Sequence, residues 1–358
     1  SSSYGYDRSN ERVKEMPGVT PGIISQLLPY TTFLKLSDLG IKLPDYTEER
    51  VAVPLDSRLE KGAQNLEKLR AEAIKLMREG TPGMLSQWLY AAMGWLDCPI
   101  TDKLEAKNVY GDIKATYELN GLLDSPDEEL FTPLAKDQVI LDIVKSELSQ
   151  GRGCGIYFSQ VNRRDWMPRM HKLLEDNGIY SEILRQETAK PELRERWYRD
   201  FVERCRAKGQ EPCLLANGNL VKEGLDLVEL PTLIEAGIEY RITDLRQRDR
   251  RSWRLIQTRP VRVIFVYYEN TFQQTALQLV AAKLKAAMMV DGNLASGLAA
   301  IMADSDDGSI MSQLMKSVAE TYAGTDWAGM AQVKFEKVPF KPVLATRQET
   351  EAEEILLL

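Results

Sequence analysis

One stretch of the sequence, Val261-Arg262-Val263-Ile264-Phe265-Val266-Tyr267-Tyr268, is a long predicted β-strand. Shorter strands are predicted before it at Gly155-Ile156-Tyr157-Phe158, Tyr180-Ser181-Glu182-Ile183-Leu184, Cys213-Leu214-Leu215-Ala216 and Thr232-Leu233-Ile234-Glu235. Helical patterns alternate with these strands, and a further helix is predicted from Thr271 to Val290. Strands separated by helices of this length imply a parallel sheet with helices on both faces. The sequence therefore predicts an α/β fold.

Changes in pattern along the chain predict four regions. They are a lead-in at residues 1–50, a helical hairpin and connector at 51–133, the α/β region at 134–302 and a C-terminal extension at 303–358. In the second region, one predicted helix ends at Gly80 and another begins at Pro82-Gly83. We therefore expect an N-terminal helical insertion beside the parallel sheet.

Composition indicates a globular protein with a buried core. The chain has 358 residues, of which 44% are hydrophobic and 28% charged, so about two domains are expected. No apolar run is long enough to span a membrane and the first residues do not form a signal peptide, which favours a cytoplasmic protein without membrane contact. Four cysteines without a C-x-x-C pair and a single histidine, His171, argue against a metal site.

Charge is unevenly distributed. The net charge of −7 argues against a chain coated in basic charge for nucleic acid. Arginines nevertheless cluster between Arg241 and Arg262, and one interpretation of such a run is a solvated, salt-bridged helix face. A second interpretation is chemical, because Arg251 and Arg254 have the spacing that could stabilise charge on a γ-phosphate. An arginine in that role contributes a factor of about 10³–10⁵ in rate.

The phosphate-binding half of such a site is not found in the sequence. No stretch reads G-x-x-x-x-G-K-[ST], the loop whose backbone N–H groups surround nucleotide phosphates. If the two arginines act on a nucleotide, we expect most of the nucleotide site to lie outside these residues.

Three segments in this order resemble motifs IV, V and VI of superfamily-two helicases: Gly155–Gln160, Leu214–Leu227 and Gln247–Gln257. The last is similar to the Q-x-x-x-R-x-x-R-x-x-Q pattern of the Swi/Snf-type branch. The resemblance covers about residues 134–292 and points to bacterial or phage-like members. It implies the C-terminal RecA-like lobe of a helicase, and Phe33–Gly40 resembles the segment that joins two motor lobes.

The resemblance implies roles at a nucleotide cleft. Arg251 and Arg254 correspond to arginine fingers that reach a γ-phosphate held by the first lobe, and Gln247 corresponds to a residue on the same face. Gly224 is implied to allow close approach of the backbone. Asp226 is implied to face the ribose or the partner lobe.

The resemblance also implies contacts with a nucleic-acid backbone. Ser159, Gln160 and the turn Asn217-Gly218-Asn219 correspond to positions that supply N–H and amide donors without reading sequence. Two positions depart from the pattern. Ile256 stands where this branch usually has glycine, and Ala216-Asn217 replaces the usual small hydroxyl residue.

Together these features predict the second motor lobe of an ATP-dependent DNA helicase or translocase. Its implied partners are double-stranded DNA, with RNA left open, and the N-terminal motor lobe of the same protein. ATP and Mg²⁺ are the implied cofactors, bound mainly by that first lobe, so the chain alone is expected to be inactive. A non-catalytic nucleic-acid or protein-binding module is the main alternative. A doubly wound enzyme with a small-molecule site is less favoured, because no G-x-G-x-x-G follows the first strand.

Overall fold

A six-stranded parallel sheet organises the protein. The computed structural model describes residues 43–81, 83–108, 110–124, 132–221, 225–239 and 242–290. In chain order the sheet strands are β1 (Tyr46–Val53), β4 (Cys154–Phe158), β5 (Glu182–Leu184), β6 (Cys213–Asn217), β7 (Thr232–Glu235) and β8 (Val261–Tyr268). Their order across the sheet is β1-β8-β7-β4-β6-β5, and every neighbouring pair is parallel. The predicted α/β class is confirmed, and the sheet with its flanking helices has the architecture of a RecA-like lobe.

The helices follow the predicted alternation. They are α1 (Glu60–Arg78), α2 (Gly83–Gly94), α3 (Ala135–Ser149), α4 (Met167–Asp176), α5 (Arg194–Ala207), α6 (Gly218–Val221), α7 (Ile242–Asp249) and α8 (Phe272–Val290). α3 and α4 are followed by Gly151 and Gly178, whose φ angles are 69° and 75°. Only glycine adopts this left-handed conformation without cost, which is why the chain turns back to the sheet at these positions. None of the helices in the described ranges is long and apolar enough to cross a membrane.

The edge strand β1 corrects the predicted start of the α/β region at residue 134. Tyr46–Val53 pairs with β8 over its whole length, so the sheet begins before the helical hairpin. The first five residues of the strand, Tyr46–Arg50, contain no apolar run, because one face of the strand is polar. Glu49 on that face accepts two hydrogen bonds from Arg262 of β8, at 2.8 and 2.7 Å. The strand is therefore held by a partner 213 positions away.

The predicted connector contains a second, smaller sheet. The strands β2 (Asp102–Lys107) and β3 (Ile113–Leu119) form an antiparallel hairpin with an irregular register between Ala106 and Lys107. Apolar and polar residues alternate along both strands, a pattern typical of β-structure that the prediction of a connector overlooks. Of the other predicted regions, residues 1–42, including Phe33–Gly40, and the extension 303–358 lie outside the described residues.

The predicted helical insertion shares one hydrophobic core with the sheet. Trp88 of α2 is buried, and its Nε1 donates to the Leu66 carbonyl of α1 at 2.7 Å. Asp97 follows the end of α2, and its carboxylate lies 2.8 Å from the buried ammonium of Lys136 on α3. Gln273 Nε2 of α8 donates to the same carboxylate at 2.9 Å. These buried polar bonds fix the insertion to the helices that cover the sheet.

Candidate phosphate-binding arginines and nucleic-acid interface

Two chain segments lie side by side and bring three of the predicted cleft residues, Asp226, Arg251 and Arg254, into one unit. One is residues 225–228, and the other, the arginine segment, is residues 250–257. The backbone N–H of Leu227 donates to the Arg251 carbonyl at 3.1 Å, and Gln257 Nε2 donates to the Val228 carbonyl at 2.8 Å. The second and third predicted motifs therefore form one structural unit.

Within this unit, Arg254 and Asp226 form an ion pair. Arg254 Nη1 lies 2.8 Å from Asp226 Oδ1, with 36% of the arginine side chain and 48% of the aspartate side chain exposed. The resemblance implies that both residues lie at a nucleotide cleft, but it does not predict that they pair. A guanidinium that binds a carboxylate has the donor geometry that also binds phosphate oxygens.

Helical turns beyond α7 set the position of the arginine segment. The N–H of Arg251 donates to the Arg248 carbonyl at 2.9 Å, and the N–H of Gln257 donates to the Arg254 carbonyl at 2.9 Å. Trp253 Nε1 donates to the Pro44 carbonyl at 2.7 Å, and its ring lies 5.1 Å from that of Tyr46. These bonds attach the segment to the edge strand on one side and to α7 on the other.

Gln257 has a structural role at the end of the segment. Its side chain is buried, and Nε2 also donates to the Ser252 carbonyl at 3.0 Å. Its Oε1 accepts from the N–H groups of Thr258 and Arg259, both at 3.1 Å. The amide closes the turn in which Arg254 lies, which accounts for glutamine at the last position of the pattern.

Ile256 shows why glycine is not required at the departure from the family pattern. Among the described residues only Gln160 and Asn270 combine a side chain with positive φ, so Ile256 has an ordinary backbone conformation. Its side chain is 66% exposed, and that of Leu255 is 60% exposed. The bulk of the isoleucine side chain is therefore accommodated by solvent.

A buried ion pair beneath the arginine segment was not singled out from the sequence. Arg248 of α7 is 3% exposed, and its guanidinium binds Glu235 at the end of β7, with Nε 3.1 Å from Oε1. The guanidinium carbon also lies 4.8 Å from the centre of the Tyr157 ring on β4. At this position the interpretation of the arginine run as a solvated helix face is wrong, because Glu235 and Tyr157 bury the charge.

Asp249 shares this buried environment. Burial, followed by the charge of Glu235, raises the pKa of the Asp249 carboxyl well above its usual value. Although burial alone would lower it, the pKa of Arg248 is raised by the charges of Glu235 and Asp249. Burial also raises the pKa of Glu235, and the charge of Arg248 opposes that shift. One guanidinium therefore faces two buried carboxyl groups whose charged forms are disfavoured by burial.

Two of the predicted nucleic-acid contacts follow the end of β4. Ser159 lies against Gly237, where an added Cβ would be 2.3 Å from the serine Oγ. Gln160 has a φ of 57°, and its Nε2 donates to the Tyr90 carbonyl at 2.8 Å. The amide donor expected to face nucleic acid is thus engaged with the helical insertion, while the role of Ser159 stays a prediction.

The turn after β6 forms the start of α6. Asn217 Oδ1 accepts from the N–H of Asn219 at 2.9 Å, which begins the helical turn. Gly218 is buried and Asn219 is exposed. Because β4 and β6 are adjacent parallel strands, this turn and Ser159 lie next to each other at the carboxyl ends of the strands.

Two predicted cleft residues add no contact to this picture. Gln247 lies on α7 with its side chain exposed, and Gly224 lies outside the described residues.

A depression of about 550 Å³ elsewhere is lined by Gln87, Thr101, Asp102, Lys103, Glu105, Lys107 and Arg163. None of its lining residues belongs to the arginine segment. Lys107 and Asp102 are neutralised there by Glu105 and Arg163, so we assign no site to it.

Comparison with known proteins supports the fold. No protein-family model matches the sequence, and no curated protein matches it. Among solved structures, the chain is similar to one described as the C-terminal part of the Fun30 ATPase domain, with a TM-score of 0.51 and 12% sequence identity. The match covers 78% of this chain and 100% of that chain. The protein thus has the fold of the C-terminal part of an ATPase domain.

Proposed function

We propose that this protein is the second motor lobe of a cytoplasmic, ATP-dependent DNA helicase or translocase. In this proposal Arg251 and Arg254 reach the γ-phosphate of ATP, and the first motor lobe holds most of the nucleotide and its Mg²⁺. The observation that carries the proposal is the unit formed by residues 225–228 and the arginine segment, in which Arg254 is partly exposed and pairs with the carboxylate of Asp226. The similarity to the C-terminal part of an ATPase domain supports it.

The proposed nucleic-acid surface lies at the carboxyl ends of the sheet strands, where Ser159 follows β4 and the turn Asn217-Gly218-Asn219 follows β6. Backbone N–H groups and amides at such strand ends bind phosphates without reading sequence. We propose double-stranded DNA as the ligand because of the resemblance of the arginine segment to the Swi/Snf-type branch. Binding should weaken as salt is raised, because phosphate contacts release counterions.

The decisive experiment supplies the first motor lobe and measures ATP hydrolysis. Arg254→Ala should lower the rate by a factor of about 10³ or more, since the arginine stabilises charge that develops on the γ-phosphate. Duplex binding should be retained. Arg250→Ala is the matched control, because it removes the same charge from an exposed neighbouring position. Full turnover by Arg254→Ala would refute the assignment of this arginine.

The alternative is a nucleic-acid or protein-binding module that keeps the lobe without motor activity. It is favoured if the chain binds duplex DNA but no first lobe restores hydrolysis. The chain alone is expected to hydrolyse no ATP. Steady turnover by the purified chain would require a nucleotide site within its own residues and would contradict the division of the site between two lobes.

A further inference from the structure

Arg248 contacts three strand ends or turns at once. Its guanidinium binds Glu235 at the end of β7 and lies over the ring of Tyr157 on β4. It also passes directly over Gly218, the first residue of α6. A single buried side chain therefore spans the carboxyl ends of β4, β6 and β7.

Gly218 makes this passage possible. A Cβ added to Gly218 would lie 1.9 Å from Nη1 and 2.8 Å from Cζ of Arg248. No side chain fits at that separation, so any larger residue must displace the guanidinium. The guanidinium of Arg248 therefore packs directly against the backbone of Gly218, in the proposed nucleic-acid-binding turn.

The backbone of Arg248 leads directly into the arginine segment. Its carbonyl accepts the N–H of Arg251 at 2.9 Å, which is the first bond of the turn beyond α7. From there the chain continues to Arg254. One residue thus contacts the turn after β6 through its side chain and holds Arg251 through its main chain.

We infer that Arg248 is a positioning residue that fixes Arg251 and Arg254 relative to the turn Asn217-Gly218-Asn219 and couples movement of one to the other. This inference rests on the proposed function for the identity of the turn as a nucleic-acid surface. The coupling itself depends only on the contacts of Arg248. Its consequence is that DNA bound at the carboxyl ends of the strands changes the position of the phosphate-binding arginines.

The test is hydrogen exchange of backbone amides in the intact chain, measured by mass spectrometry with and without duplex DNA. Arg248→Met alone leaves Glu235 buried without a partner, so the main variant is Arg248→Met/Glu235→Gln, which removes both charges. In the free chain this variant should exchange about tenfold faster at residues 250–257, while β4 and β6 stay protected. Gly218→Ala, which displaces the guanidinium, should have the same effect.

The matched control is Arg169→Met/Asp137→Asn, which removes both charges of a buried ion pair between α4 and α3. It should leave exchange at residues 250–257 unchanged. On adding DNA, protection should increase at 217–219 and 250–257 in the wild type but only at 217–219 in the main variant.

Unchanged exchange at residues 250–257 in both the main variant and Gly218→Ala would overturn the inference. So would equal protection of these residues by DNA in the wild type and in the main variant. If the wild type binds no DNA, the nucleic-acid part of the proposed function fails, and the free-chain comparison still decides whether Arg248 positions the arginines.

Discussion

Arg254 is held by Asp226 of the same chain, with the guanidinium Nη1 2.8 Å from Oδ1. Both side chains are more than a third exposed, so solvent screens the pair and its contribution to stability is about 0–1 kcal/mol. The pair therefore has little effect on folding. Its effect is on the direction in which Arg254 points and on the anion that Arg254 can accept.

Asp226→Asn is expected to strengthen binding of a polyphosphate. The substitution removes the carboxylate that competes for Arg254, and a gain of up to about 1 kcal/mol corresponds to roughly fivefold in affinity. Titration calorimetry with inorganic tripolyphosphate measures it. In the Arg254→Gln background the same substitution should give no such gain. An equal gain in both backgrounds would show that only the overall charge matters.

Asp249→Asn is expected to flatten the pH dependence of stability. The pKa of Asp249 is raised, mainly by burial, so the folded protein holds a proton that the unfolded chain releases above about pH 4. Stability from this group is complete below that pH and is lost as pH rises towards the folded pKa. Glu235, Arg248, Glu48 and Tyr46 face the same environment.

Denaturant unfolding at pH 5 and pH 8 measures this difference. The wild type should lose more stability between the two values than Asp249→Asn, which has no proton to release. Asp226→Asn serves as the control because it removes an exposed carboxylate. If the two aspartate variants show the same slope as the wild type, burial does not control the proton of Asp249.

Lys136→Met is expected to destabilise the protein by about 3–5 kcal/mol, because it leaves the buried Asp97 without its cation. Adding Asp97→Asn should restore most of the loss, since no charge then remains unpaired. Unfolding in denaturant provides the measurement. Lys75→Met, which breaks a pair with Glu72 on the surface, should have almost no effect. A cost for Lys136→Met below about 1 kcal/mol would mean that water reaches the pair.

Leu255→Ala is expected to change the free energy of unfolding by less than about 0.5 kcal/mol, because the side chain is 60% exposed. Leu245→Ala, the same substitution at a buried position of α7, should cost about 2–5 kcal/mol. Thermal or denaturant unfolding compares the two. A large loss for Leu255→Ala would show that its side chain packs inside the protein.

The sequence predicts the buried centre of the fold better than its edge. Thr232–Glu235 and Val261–Tyr268 are strands over the predicted residues, because strands buried on both faces are apolar runs. Tyr46–Val53 gives no such signal, since its polar face is satisfied by Arg262 and that partner is distant in sequence. The limits of a sheet depend on pairing that periodicity does not reveal.

The candidate site was also predicted only in part. The resemblance brought Asp226, Arg251 and Arg254 together, and the structure places the two segments that carry them in contact. It did not single out Arg248, because an arginine within a basic run is usually solvated. Only the fold brings Glu235, Tyr157 and Gly218 to it from three other elements. A charge pattern identifies arginines, and tertiary contacts decide which of them is buried.

The position of β1 has a mechanical consequence for the helical hairpin. Because Tyr46–Val53 is an integral strand of the sheet and α3 covers that sheet, the hairpin formed by α1 and α2 is connected to the sheet before and after it in the chain. Because the hairpin is joined to the sheet at both ends and packs into the same core, it does not swing about a single hinge. Any rotation of the sheet would carry the hairpin through the same angle.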